Sequence, residues 1–203
     1  MNTEKEIFTS IIETCTEKKI VNLSKKLEKK CSFESGNDAE NLCHLAYYLF
    51  VYGHEEKALA VCNLTHDIPF PGKRKFGVWN FILNIWGLEV YLLQRRGNVE
   101  AAMARIKAID NIQMQPIGIF AENEEKHRNF ENQRRGRFTY PNVLRQKEIE
   151  ASSNKQIAYE WRFIALFTML GYGVTGLYPN LVEHWEELKH DIDEYVAILS
   201  NSK

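Results

Sequence analysis

Two carboxylates stand inside long apolar runs of this chain. Glu89 lies in residues 78–97, VWNFILNIWGLEVYLLQRRG, and Glu160 lies in residues 157–174, IAYEWRFIALFTMLGYGV. A carboxylate in apolar surroundings must be paired, hydrogen-bonded or neutral. As a structural group, Glu89 is expected to be charge-paired, with Arg162 of the second run as partner. As a functional group, either carboxylate would be an acid of perturbed pKa in a cleft. His184, Glu187 and His190 have metal-ligand types, but a zinc helix needs its two His at i and i+4 on one face. Here the His residues are six apart and point to different sides, so no metal is expected. His44, His54 and His66 scatter over one helical hairpin and read as polar surface or core groups. Arg134, Arg135 and Arg137 stand beside Phe138 and Tyr140, a pattern that can hold RNA or phosphate. Glu122, Glu124, Glu125 and Glu131 lie just upstream and point instead to a solvated face. There is no P-loop, GxGxxG, GxSxG or zinc CxxC pair, so no cofactor is expected and no catalytic residue is assigned.

The elements that would position these residues are helical throughout. Residues 78–97 are apolar almost all the way round, which marks a helix enclosed by protein or lipid. The run falls short of the roughly 20 apolar residues of a membrane span and carries a carboxylate at its centre, so it is read as core. Residues 155–174 form a second long buried helix. Before these, Ile7, Ile11, Ile12 and Cys15 recur at helical spacing in residues 3–16, and the helix continues through 17–31 with Ile20, Val21, Leu23, Leu27 and Cys31 inward. A hairpin spans about 38–67. Its first helix carries Leu42, Leu45, Ala46, Leu49 and Phe50 inward and ends at Gly53; its second carries Ala58, Leu59 and Cys62. The loop IPFPGKRKFG leads into the central helix, which ends at Gly97. Asn98 caps the next helix, with Ala101, Ala102, Ile106 and Ile109 inward, so a second hairpin spans about 78–112. A polar segment follows at 119–140. The C-terminal helices occupy 141–200, the last with Leu181, Trp185, Leu188, Ile192, Tyr195 and Leu199 on its inner face. No useful length of strand-like alternation is present, and the expectation is a single all-α domain over residues 1–203.

Composition sets the class. The 203 residues are 44 % hydrophobic and 26 % charged, ordinary for a globular chain, with a formal net charge of −1. No global field draws such a chain to nucleic acid or to a membrane surface. Cys15, Cys31, Cys43 and Cys62 sit inside helical patterns without CxxC spacing, and the first residues lack an apolar secretory core. Reduced, buried thiols in the cytoplasm are expected.

The two hairpins resemble tetratricopeptide-type repeats. Leu42, the Leu45–Ala46 pair, Leu49, the turn residue Gly53, then Ala58 and Cys62 follow that family's order, and Pro69 falls near its closing Pro. The second hairpin supplies Trp86, Leu93, Gly97, Ala102 and Ile106, but Glu89 and Val90 stand where the Leu–small pair belongs. Gly53 and Gly97 are 44 positions apart, against about 34 in the family. The resemblance implies a short TPR-like α-solenoid, with the first and last helices as caps and a concave surface lined by the first helix of each pair.

On that surface would stand Tyr47, Phe50, Asn84, Tyr91 and Arg95, aromatic and Arg groups of the kind binding surfaces favour. The expected function is therefore binding of another protein or a peptide, with a homo-oligomer also compatible. One alternative is an enzyme or small-ligand protein with a pocket between the buried helices, using Glu89 or Glu160. Another is a bacterial immunity or antitoxin-like partner protein.

Overall fold

The structure is a computed structural model that describes residues 3–31, 36–68, 76–113, 154–173 and 185–201. The polar segment 119–140 with its Arg and aromatic residues, the helix expected over 142–151, Leu181 and His184 lie outside the described residues. Every regular element among the described residues is helical: α1 (Thr3–Thr14), α2 (Lys18–Lys29), α3 (Gly36–Val51), α4 (Glu55–Asn63), α5 (Phe76–Arg95), α6 (Val99–Gln113), α7 (Lys155–Thr168), a π-helical turn (Met169–Gly173) and α8 (Trp185–Asn201). The chain is all-α, as its periodicity indicates. No helix among the described residues is long and apolar enough to cross a membrane.

The first six helices form three hairpins, because each helix carries apolar residues that only a neighbour can cover. Residues 3–29 are not one continuous path of helix. Cys15, Thr16 and Glu17 break it, and α1 folds back on α2. Phe8 is buried with Ile11 and Cys15, while Ile7 and Ile12 are only half-buried. The helix therefore turns Phe8 into the core, a residue that the Ile spacing did not single out. On the second helix of each later hairpin, Ala58 and Cys62 and then Ala102, Ile106 and Ile109 are buried as expected.

The turns of the second and third hairpins share one geometry. Gly53 has φ +82° and Gly97 has φ +76°, the left-handed conformation that a Cβ disfavours. The Gly53 N–H donates to the Phe50 carbonyl and the His54 N–H to Leu49; the Gly97 N–H donates to Gln94 and the Asn98 N–H to Leu93. This is the Schellman pattern, which satisfies the last carbonyls of α3 and α5.

Helix α5 is the spine of the fold. Every residue from Ile82 to Leu92 is buried, including Trp86 and Tyr91, each of which contributes roughly 1.5–3 kcal/mol by leaving water. It packs against α3, α4, α6 and the π turn. The second apolar run differs from expectation. Helix α7 buries Phe163, Ala165 and Leu166 but leaves Glu160 and Ile164 exposed, so it covers the hairpins with one face. It then passes into the π turn. There the chain crosses α5 so closely that a Cβ on Gly87 would overlap the Leu170 carbonyl and come within 2.6 Å of the Gly171 Cα. A Cβ on Gly171 would overlap the Asn84 side chain. The two glycines are the condition for that crossing.

Candidate functional site

Two faces of α5 carry the polar side chains. The first holds Glu89, only 4 % exposed. Its Oε2 accepts from Arg105 Nε of α6 at 3.1 Å, and its Oε1 lies 2.8 Å from His66 Nε2, in the turn after α4. Arg105, not Arg162, is thus the guanidinium beside Glu89. The expectation failed because it paired the two apolar runs, whereas a helix hairpin brings α5 against its own successor. The Arg105 guanidinium lies 4.7 Å from the Trp86 ring centre, the Trp86 N–H donates to Thr65 Oγ1 at 2.8 Å, and the Thr65 hydroxyl donates to the Cys62 carbonyl at 2.7 Å. The carboxylate has both oxygens taken by the chain's own cationic or imidazole groups. Arg105 Nη2 is buried without a hydrogen-bond partner among the described residues.

The second face meets α3 and the C-terminal turn. The Tyr47 hydroxyl donates to the Asn84 carbonyl at 2.9 Å, and the Asn84 side chain lies against Gly171. Tyr47 packs edge-on to Phe167, with ring centres 4.2 Å apart, and Tyr48 stacks on Phe163 at 4.7 Å. His44 stacks on Phe163 as well, and its Nδ1–H donates to the Glu40 carbonyl. Burial lowers the His44 pKa and keeps the ring neutral.

Further along this same face, α5 meets α8. Tyr91 lies under Trp185, with ring centres 5.2 Å apart, and its hydroxyl donates to Asp193 at 3.4 Å. Arg95 Nη1 reaches Asp193 at 3.2 Å while its Nε faces Glu55 of α4 at 3.5 Å. Burial, helped by the nearby Asp193 charge, pushes the Tyr91 hydroxyl pKa up, so the group stays a donor.

The five residues expected to line a concave surface lie on α3 and α5, and four of them are covered. Tyr47, Phe50, Asn84 and Tyr91 are buried, and Arg95 alone reaches solvent. The cover has a simple cause: α7, the π turn and α8 lie against α3 and α5. Trp185 and Asp193, which touch Tyr91 and Arg95, carry the rest of this contact; only the inward position of Trp185 on an amphipathic helix was readable beforehand.

Two groups of residues with metal-ligand chemistry also occur among the described residues. One is the exposed set His190, Asp191 and Glu194; the other is Cys15, Glu17 and His54, at the junction of two inter-helix turns.

With this geometry the chain belongs to a family of unknown function, DUF6707, whose model matches residues 1–199. No curated protein and no solved structure matches the chain.

Proposed function

We propose that this chain is a protein-binding module, a TPR-like array whose face on α3 and α5 recognises an amphipathic acidic helix. The observation that carries the reading is the seat of α8. The sequence of α8, WEELKHDIDEYVAILSN, buries Ile192, Tyr195 and Leu199 and holds Arg95 and Tyr91 through Asp193 and Trp185. Trp, Tyr and Arg are the anchors that concentrate binding energy at interfaces. Laying the apolar face of a helix into a groove is a recurrent recognition mode. The chain's own helix thus supplies a description of the ligand: an aromatic residue, an acidic residue eight positions on and an apolar stripe. A partner helix of the same chemistry would take its place when α8 swings out. A labelled peptide of residues 185–201 tests this against the full chain. Binding should be about tenfold tighter to the Trp185→Ala, Asp193→Ala double variant than to the unaltered chain, because the resident helix competes less. Adding Arg95→Glu should remove that binding. A peptide that binds neither form contradicts the reading.

A further inference from the structure

The two Schellman turns differ at the residue that follows the glycine. In the third hairpin Asn98 takes the N-cap of α6, and its Oδ1 accepts the Ala101 N–H at 3.3 Å. In the second hairpin His54 takes the same place before α4, and its side chain makes no cap hydrogen bond. The imidazole turns instead to the break between α1 and α2. Its Nε2 lies 3.2 Å from Glu17 Oε1 and 3.3 Å from Oε2. Cys15 completes the group, and one ligand atom from each of the three residues lies within 4.8 Å of the other two. Cys15 is buried, while Glu17 and His54 have side chains 24 % and 26 % exposed.

We propose that Cys15, Glu17 and His54 form a binding site for a divalent cation of the zinc class, which ties the α1–α2 turn to the α3–α4 turn. Zinc takes thiolate at about 2.3 Å and imidazole or carboxylate at about 2.0–2.2 Å in a tetrahedron, so neighbouring N and O ligands stand about 3.3 Å apart. The His54–Glu17 separation already has that value. The mixed sulfur, nitrogen and oxygen donor set suits zinc rather than calcium or magnesium, which take oxygen. A thiolate and a carboxylate would balance the charge of the ion, and the partial exposure of Glu17 and His54 leaves a side open for water as fourth ligand. A thiol binds a metal only as the thiolate, so an ion must displace the Cys15 proton as it binds. His54 and Glu17 are 37 positions apart, which is why no spacing motif announces the site.

The test is titration of the reduced, metal-free full chain with Co²⁺. The expected result is one equivalent bound, with a thiolate-to-cobalt charge-transfer absorption that one equivalent of Zn²⁺ bleaches. Cys15→Ser should abolish the band. Glu17→Gln and His54→Ala should each weaken binding about tenfold or more. Cys31→Ser and His190→Ala should leave it unchanged. No such band at one equivalent, or a band that survives Cys15→Ser, overturns the proposal. Should Cys15→Ser fail to fold, X-ray absorption at the zinc edge of the unaltered chain decides: one sulfur at about 2.3 Å supports the site, and a shell without sulfur overturns it.

Discussion

The second and third hairpins, α3–α4 and α5–α6, share a turn geometry and differ in what surrounds it. Aligned on Gly53 and Gly97, Leu45 corresponds to Glu89, Val61 to Arg105, Cys43 to Gly87 and His44 to Leu88. Where α3–α4 has two fully buried apolar side chains, α5–α6 has an ion pair between a buried carboxylate and a half-buried guanidinium. Where α3 has a buried thiol, α5 has the glycine that admits the π turn. What recurs is the turn glycine and a small buried residue, Ala58 or Ala102, on the second helix, while other interior positions differ. The third hairpin has specialised to accept the C-terminal segment from outside and to hold a charge inside.

Copying α3–α4 into α5–α6 breaks the comparison most forcefully at Glu89. Glu89→Leu leaves the Arg105 guanidinium buried without its carboxylate and should cost about 3–5 kcal/mol in urea unfolding followed by tryptophan fluorescence. Glu89→Leu with Arg105→Val recreates the apolar pair of the second hairpin. It should return stability to within about 1–2 kcal/mol of the unaltered chain. Simple additivity of the two changes would show that the pair is not coupled.

Gly87→Cys is the next largest test. The thiol that α3 holds at Cys43 would drive into the Leu170 and Gly171 backbone, which cannot yield as a flexible side chain can. About 3 kcal/mol of destabilisation is expected from overpacking, with loss of the near-ultraviolet signal of Trp86. An unchanged melting temperature would mean that the crossing is looser than the structure shows.

The smallest effect belongs to His44. Its folded pKa is lowered, so the unfolded chain takes up the proton first. The stability this ring allows is complete above the unfolded value of about 6.5 and is lost as pH falls through it. His44→Leu, the residue of the third hairpin, should flatten the fall in stability between about pH 7 and pH 5. An identical pH profile in the variant would remove His44 from the acid response.

Much of this frame was legible in the sequence, for physical reasons that attach to particular residues. Gly53 and Gly97 end helices because few other residues tolerate a positive φ, and their roles can be read without a structure. The all-apolar run around Trp86 requires enclosure, and the structure encloses it. What periodicity could not supply was the partner of each face. Nothing local distinguishes Arg105 from Arg162 as the cation beside Glu89, since both lie within reach of a helical packing. Nothing local shows that α7 and α8 return to cover Tyr47, Asn84 and Tyr91, because that is a contact between elements more than 60 positions apart. The Cys15–Glu17–His54 group escaped for the same reason: its members come from two separate turns.

The proposed function requires that α8 sits on the α3–α5 face as a resident occupant, able to leave while the hairpins stay folded. Native-state hydrogen exchange tests it directly. Helix α8 buries Ile192, Tyr195 and Leu199, and its Asp193 pairs with Arg95, both partly exposed, a contact worth about 0.2–1 kcal/mol. Its amides should therefore exchange through openings at least about 2 kcal/mol smaller than those of α5. Equal protection of α8 and α5, with both exchanging only by global unfolding, would contradict the account.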